Sequence, residues 1–308
     1  MTLDRRSVLK GAFAAGAASV AGVKPARASA AQAPEDAVGL LYDSTKCIGC
    51  KTCVVACHEA NGLPPDDRLD PLHDAPLDLN DRTKTVIKLF KGDDGRRAFF
   101  KAHCMHCVDP GCVNACMLGA FKKREHGIVT WDPDRCIGCR YCQIACPFNV
   151  PKFEWDDATP RIVKCEMCNH RLAEGKEPGC TEVCPTGAVI FGRRDELLAE
   201  AKQRIADHPG RYQDHVYGET EGGGTQCLYL APSNVEFTEW GLPDLGDAPT
   251  AERARGVQHT VYKGFIAPVA LYGLLGFVLW RNRRQMEVDR EVGEEPGDDP
   301  AAPGEEGS

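Results

Sequence analysis

The stretch CIGCKTCVVAC, residues 47–57, spaces four cysteines as C-x2-C-x2-C-x3-C. Residues 136–146, CIGCRYCQIAC, repeat that spacing and are followed by Pro147. Two other stretches keep the outer gaps and lengthen the middle one: residues 104–116 read C-x2-C-x4-C-x3-C, and residues 165–184 read C-x2-C-x11-C-x3-C. In chain order we call them runs one, two (104–116), three (136–146) and four (165–184); together they hold sixteen of the seventeen cysteines in the 308-residue chain.

This spacing is typical of cysteines that bind iron–sulfur clusters. Three cysteines of a run supply thiolates from one tight loop to a cubane cluster, and the fourth, at the start of a helix, ligates the neighbouring cluster. The four runs therefore predict four [4Fe–4S] clusters and a role in electron transfer.

Two other uses of the cysteines fit less well. A disulfide framework is typical of short, exported, cysteine-dense chains, and this chain is not short. Two C-x2-C pairs can form a structural zinc site, but zinc does not require the third and fourth cysteines of every run. A structural zinc protein remains the remote alternative. Cys227 lies outside every run, within the apolar stretch 226–230, and is predicted to be a small buried apolar residue.

Residues 1–30 have the features of an export signal. Arg5 and Arg6 precede a weakly apolar stretch of alanine and glycine, and small residues offer cleavage sites between Ala28 and Ala31. Paired arginines are typical of cargo for the twin-arginine (Tat) translocase, which accepts folded proteins. Clusters built in the cytoplasm would then be exported inside the folded chain.

A second apolar segment, residues 261–280, is predicted to be one transmembrane helix. A helix of this length spans about 30 Å, the thickness of a bilayer core. Arg281, Arg283 and Arg284 follow at once, so the positive-inside rule places the C-terminus in the cytoplasm. A linker rich in Pro and Asp, residues 236–260, precedes the helix, and the acidic tail 281–308 is predicted to be disordered.

The body of the chain, residues 31–235, is expected to have an α+β fold. Periodic apolar residues predict an amphipathic helix over residues 193–208. The net charge is −8 and no basic stripe is present, so nucleic acid is not an expected partner. Apolar, β-branched segments predict strands at 85–90, 127–131, 187–191 and 228–230.

The four runs resemble those of the iron–sulfur electron-transfer subunits of membrane-bound molybdopterin oxidoreductases. Further segments are similar to the HybA-type subunits of hydrogenase-2. These segments are 41–45, 104–110, 139–142, 149–152, 222–226 and 257–264. The export signal and the single C-terminal transmembrane helix also match those subunits, so the similarity covers nearly the whole chain. The resemblance implies two ferredoxin-like double-[4Fe–4S] modules, in which run one interleaves with run four and run two with run three, followed by one C-terminal transmembrane helix.

The resemblance also implies which cysteines share a cluster. Some relatives lack one cysteine of the third run and hold a [3Fe–4S] cluster, but Cys139 is present here, so four cubanes are expected. The implied sets are Cys47, Cys50, Cys53 and Cys184 for cluster 1; Cys57, Cys165, Cys168 and Cys180 for cluster 2; Cys104, Cys107, Cys112 and Cys146 for cluster 3; and Cys116, Cys136, Cys139 and Cys142 for cluster 4.

The implied function is that of a subunit without catalysis of its own. It would carry electrons between two partners at the periplasmic face of the inner membrane. One partner is a periplasmic nickel–iron hydrogenase, made of a small and a large subunit, and the other is an integral membrane quinone-reactive subunit. A formate dehydrogenase or a sulfur-compound reductase is the alternative partner. His103 and His106 flank a cluster ligand, and they either tune it through contacts around the cluster or are solvated.

Overall fold

Short strands and single-turn helices alternate along the cysteine-rich body. The computed structural model describes residues 32–65, 78–157 and 160–293. The strands are β1 (Val38–Asp43), β2 (Thr85–Lys91), β3 (Arg97–His103), β4 (Phe121–Lys123), β5 (Val129–Trp131), β6 (Lys152–Phe153), β7 (Ile162–Val163), β8 (Val189–Arg193) and β9 (Cys227–Leu230). The helices are α1 (Thr52–Asn61), α2 (Gly111–Asn114), α3 (Tyr141–Ile144), α4 (Asn169–Leu172), α5 (Gly179–Glu182), α6 (Arg194–Asp207) and α7 (Thr250–Gly293). The four predicted strands correspond to β2, β5, β8 and β9.

A three-stranded sheet joins the first and last parts of the body. β1 lies between β8 and β9, antiparallel to β8 and parallel to β9. β1 leads into run one, and β8 follows run four. Their pairing therefore brings two runs that are distant in sequence to the same end of the sheet.

Helix α6, which corresponds to the predicted amphipathic helix, packs on this sheet. Leu197 and Ala201 are buried in one cluster with Leu41 of β1. Arg204 reaches Asp43 at the end of β1, with 3.1 Å between Nη1 and Oδ2, and the Asp43 side chain has no exposed surface. The helix thus fixes the strand end from which run one begins.

The polar insertion between runs one and two contains a β-hairpin, formed by the antiparallel strands β2 and β3. The hydroxyl groups of Tyr42 and Ser44 both donate to the Phe99 carbonyl, at 3.0 and 2.7 Å. These bonds hold the hairpin against the segment that leads into run one.

An aromatic core lies beneath the hairpin. The rings of Tyr229, Phe100, Trp240 and Phe237 contact one another in that order, with centroids 5.5–5.7 Å apart. Phe237 and Trp240 form the two ends of a 3-10 turn within residues 236–260, where the sequence predicts a linker. Burial of these rings outweighs the Pro- and Asp-rich composition around them.

The predicted transmembrane helix is part of a longer one. α7 begins within the predicted linker and ends within the tail that was expected to be disordered. The Arg, Gln, Met and Glu residues that follow Trp280 are good helix formers, which explains the extension. Among the described residues, one segment, Gly264–Val288, is long and apolar enough to cross a membrane, with a mean hydropathy of 1.5.

The chain divides into two units. Among the described residues, those up to Gly256 belong to one unit and those from Val257 onward belong to the other. The predicted signal segment 1–30 and the last part of the acidic tail, from residue 294, lie outside the described residues.

Gly49 in run one lies directly against the hairpin. Its φ is +70°, and a Cβ atom there would lie 2.2 Å from the ring of Phe99. Gly62, just after α1, also has a positive φ of +59°, but no atom would lie within 4 Å of its Cβ. A comparison of the two glycines therefore distinguishes the effect of a strained backbone from the effect of a close contact with the Phe99 ring.

We expect Gly49→Ala to lower the iron content and the apparent Tm more than Gly62→Ala does. Each variant strains a left-handed backbone position by about 1–2 kcal/mol, but only Gly49→Ala also forces the Phe99 ring away from run one. Iron per chain and thermal unfolding of anaerobically purified protein measure the difference. Equal losses in both variants would contradict a role for the hairpin in shaping run one.

Candidate iron–sulfur cluster sites

Runs one and four line two cavities. The first cavity is lined by the first three cysteines of run one together with Cys184 of run four. The second is lined by Cys57, the last cysteine of run one, together with the first three cysteines of run four. Each run therefore gives its fourth thiol to the cavity formed by the other.

The thiols of runs two and three group in a similar way. The pKa values of two of them, Cys107 and Cys142, are raised mainly by burial and further by neighbouring thiols. A thiol acts strongly on another only at close range. In each group, three thiols come from one run and the fourth from the other. The groups are Cys107 with Cys146, Cys104 and Cys112, and Cys142, whose pKa is raised to about 12, with Cys136, Cys139 and Cys116.

The tripeptide Pro-Gly-Cys shapes runs two and four. Gly111 begins α2 and Gly179 begins α5. A Cβ atom on Gly111 would lie 2.6 Å from the Ala145 carbonyl oxygen, and one on Gly179 would lie 3.1 Å from that of Ala56. Both alanines directly precede the last cysteine of the facing run. Glycine thus permits the same close helix approach in both modules, and the repeated tripeptide was a signal that the sequence analysis missed.

Backbone amides donate hydrogen bonds to several cysteine sulfurs. Such bonds stabilise thiolates and help to set the reduction potential of a bound cluster. The donor and acceptor pairs are Met167 N and Cys165 Sγ at 3.3 Å, Gly138 N and Cys136 Sγ at 3.4 Å, Ala120 N and Cys116 Sγ at 3.2 Å, and Ala188 N and Cys184 Sγ at 3.2 Å.

Asn61 is a further donor, which no motif in the sequence indicated. Its Nδ2 lies 3.6 Å from Cys57 Sγ and 3.8 Å from Cys168 Sγ. Both sulfurs belong to the second cavity, so this one amide contacts thiols from two different runs.

The buried thiols need a compensating charge before they can act as thiolates. Burial raises the pKa of Cys57 to about 12 and that of Cys146 to about 11. Free thiols with such values stay protonated at neutral pH, whereas metal ligands are thiolates. A cavity walled by four soft thiolates fits an iron–sulfur cluster, whose iron ions supply the missing positive charge. Among the described residues, no group of three or more His, Cys, Asp or Glu is placed to hold a single metal ion.

Exposure differs between the thiol groups. Cys50 of the first cavity and Cys139 of the group around Cys142 are exposed. By contrast, Cys180 of the second cavity and Cys104 of the group around Cys107 are buried. Two of the four groups therefore reach the protein surface through a cysteine.

His103 and His106 are both buried, so the alternative that they are solvated is wrong. His103 Nδ1 lies 2.8 Å from the Cys104 carbonyl oxygen, and its Nε2 lies 3.1 Å from the Tyr229 hydroxyl. His106 Nδ1 accepts a hydrogen bond from the Val129 amide at 3.0 Å. Burial lowers the pKa of His103 to about 3 and that of His106 well below its usual value, so both rings are neutral.

Cys227 is buried on β9, as predicted for a small apolar residue. Its Sγ donates to the Cys104 carbonyl at 3.4 Å. Burial raises the pKa of this thiol well above its usual value, which keeps it protonated.

The chain is similar to known iron–sulfur proteins. Residues 39–117 and 96–194 each match a 4Fe-4S dicluster domain. The hydrogenase-2 operon protein HybA of Escherichia coli O157:H7 is 38% identical over 93% of this chain and 98% of its own length. The nitrate-inducible formate dehydrogenase iron-sulfur subunit of Escherichia coli K12 is 36% identical over 77% of this chain and 81% of its own length. A formate dehydrogenase iron-sulfur subunit of Haemophilus influenzae is 33% identical over 85% and 84%.

The domain matches and the cysteine runs agree on the cofactor. Two dicluster domains cover all four runs, which confirms the prediction of four [4Fe–4S] clusters. The similarity to HybA extends over nearly the full length of both proteins. The matches to the formate dehydrogenase subunits cover a smaller share of this chain and of the subunits themselves. The chain therefore belongs to the family of 4Fe-4S dicluster proteins that includes HybA and the iron-sulfur subunits of formate dehydrogenases.

Proposed function

We propose that this chain is a non-catalytic electron-transfer subunit. It carries electrons through four [4Fe–4S] clusters between a periplasmic nickel–iron hydrogenase and an integral membrane quinone-reactive subunit. The observation that carries the proposal is the exchange of fourth cysteines between runs one and four, because it holds two redox sites side by side in one body. The likeness to HybA over nearly the whole chain supports hydrogenase as the partner enzyme.

The thiol groups described above are the proposed ligand sets. Clusters 1 and 2 belong to the cavities that contain Cys47 and Cys57, and clusters 3 and 4 to the groups around Cys107 and Cys142. A bound [4Fe–4S] cluster supplies one-electron chemistry. The chain's own residues exclude water from the sites, space them and supply hydrogen bonds to their sulfurs.

Interactions between thiols of different sets support the order in which the clusters lie. The pKa values of Cys180, Cys165 and Cys112 are raised by burial first, and each is also raised by a thiol of another set. These electrostatic interactions favour a linear path from cluster 1 through clusters 2 and 3 to cluster 4. The pairs are Cys180 with Cys53, Cys165 with Cys104, and Cys112 with Cys142.

Exposed apolar side chains lie at both ends of this path. Ile48, beside Cys47 of cluster 1, is 59% exposed, and Ile144, between two ligands of run three, is 83% exposed. Val55 of run one, Met117 after run two and Ile137 of run three are exposed as well, and several exposed apolar side chains in one region are typical of sites that bind other proteins. We therefore assign one partner subunit to each end of the path.

The position of α7 suggests which partner lies at which end. A Cβ atom on Gly111 of run two would lie 3.2 Å from Thr250 Oγ1, at the start of α7. The first residue of α7 thus lies beside run two. We assign the cluster 4 end to the membrane subunit and the cluster 1 end to the hydrogenase.

The proposed location is the periplasmic face of the inner membrane. Residues 1–30 would be recognised by the Tat translocase, and Gly264–Val288 of α7 would anchor the exported protein. Arg281, Arg283 and Arg284 lie toward the C-terminal end of that segment, which favours a cytoplasmic C-terminus.

Serine substitutions test the ligand sets. Cys53 and Cys57 are close in run one but belong to different proposed clusters. We expect Cys57→Ser and Cys165→Ser to alter the same EPR signal of the reduced protein, and Cys53→Ser and Cys184→Ser to alter another. Cys227→Ser is the matched control and should keep all signals, because its thiol belongs to no set. One common signal for Cys53→Ser and Cys57→Ser would disprove the exchange between runs.

Purification of the tagged full-length chain from membranes tests the partner. We expect nickel-containing hydrogenase subunits and a membrane quinone-reactive protein to accompany it. Deletion of the chain should abolish hydrogen-dependent quinone reduction but leave reduction of an artificial dye, because the hydrogen-oxidising site lies on the partner. Recovery of a molybdopterin subunit would instead favour formate dehydrogenase or a sulfur-compound reductase. Zinc in place of iron would favour a structural zinc protein.

A further inference from the structure

Lys101 is a buried cation that lines both cavities formed by runs one and four. The residue is 1% exposed. Its Nζ donates a hydrogen bond to the Thr85 hydroxyl at 2.6 Å. In the part of the chain that the structure describes, it has no carboxylate partner, so the negative charge that it faces is that of the cysteine ligands of the two cavities once they bind a cluster.

Thiols from both cavities act on this ammonium group. Burial disfavours its charge and is the largest single influence on its pKa. The thiols of Cys53, in the first cavity, and of Cys180, Cys57 and Cys165, in the second, together outweigh burial and raise the pKa. Lys101 therefore faces both ligand sets at once, and thiolate-ligated sites of negative charge favour the protonated form of an adjacent ammonium group.

The hairpin holds Lys101 firmly in this position. Its Cα lies opposite that of Ile87 in the ladder between β2 and β3, and Ile87 is itself buried. The Lys101 carbonyl accepts a hydrogen bond from the Tyr229 hydroxyl at 2.7 Å. With Thr85 bound to Nζ, the backbone and the charged end of the side chain are both fixed.

Two nearby lysines differ from Lys101 in their partners. Lys84 also lines the second cavity, but its Nζ lies 3.4 Å from a carboxylate oxygen of Glu166. The Lys88 side chain, on β2, is 32% exposed, and its Nζ pairs with Asp78 at 2.9 Å. A carboxylate compensates each of these charges, so neither provides the uncompensated buried cation that Lys101 does.

We propose that Lys101 is a positioning residue that raises the reduction potentials of clusters 1 and 2 together. Reduction adds negative charge to a cluster, and a fixed cation in a low-dielectric interior stabilises that charge. Because one ammonium group serves two sites, their potentials rise in parallel, and an electron can pass between them without a large step in potential. This inference rests on the proposed ligand sets of clusters 1 and 2.

Redox titration of the full-length protein, followed by EPR, tests the proposal. Lys101→Met removes the charge and nearly keeps the side-chain length. We expect two of the four midpoint potentials to fall by about 59 mV each, which is a tenfold change in a one-electron equilibrium constant, while the other two stay unchanged. Lys101→Arg keeps the charge and should keep both potentials. Lys88→Met removes a lysine from the same hairpin and should shift none.

Iron content and the wild-type titration distinguish a failure of the proposed function from a failure of the proposed role of Lys101. A wild-type protein without four reducible clusters would overturn the proposed function itself. Four clusters whose potentials are unchanged in Lys101→Met would overturn only the role of Lys101, as would an equal shift of all four or the same shift in Lys88→Met.

A second neutral variant covers the case in which Lys101→Met does not retain iron. Lys101→Gln keeps a hydrogen-bond donor for Thr85, and in that case it replaces Lys101→Met in the titration. Loss of iron from both neutral variants and from Lys101→Arg would show that the site needs the shape of lysine, and would overturn the proposal. Loss from both neutral variants, with iron and potentials kept in Lys101→Arg, would support a requirement for charge.

Discussion

The exchange of thiols between distant runs is the constraint on which the body of this protein depends. Cys184 lies with the thiols of run one, and Cys57 lies with those of run four, so neither cavity is complete within its own stretch of chain. The pairing of β1 with β8 brings the two runs together, and Gly179 lets α5 approach α1. The hairpin and the aromatic core then cover a pair of sites whose positions are already fixed.

Charge is the second requirement, and it follows from the first. Thiols that are enclosed in this way have strongly raised pKa values and can become thiolates only next to positive charge. The iron of the clusters supplies most of that charge, amide donors add to it, and Lys101 contributes a full unit between two sites. Cys50 and Cys139 remain exposed, so the same body that insulates its inner sites leaves both ends open to other proteins.

The sequence predicted what depends on local pattern and missed what depends on neighbours across the fold. The cysteine spacing indicated the clusters, and apolar periodicity indicated α6 and the strands. The contact of Trp240 with Phe100 was not predicted, because composition cannot show that an aromatic residue has a partner in a remote hairpin. Lys101 and Asn61 carry no motif, since their importance comes from thiols that are distant in the chain.

The runs are nested in the chain, because runs two and three lie wholly between the members of the outer pair. Ribosomal synthesis proceeds from the N-terminus, so the inner pair has all its thiols once Cys146 has emerged, whereas run one waits for Cys184. In the proposed ligand sets, the first three thiols of run one lack their fourth partner during that interval. Cluster 1 of the proposed sets therefore begins first in the chain but has all its thiols only after the inner pair has been synthesised, and β9, which pairs with β1, follows later still.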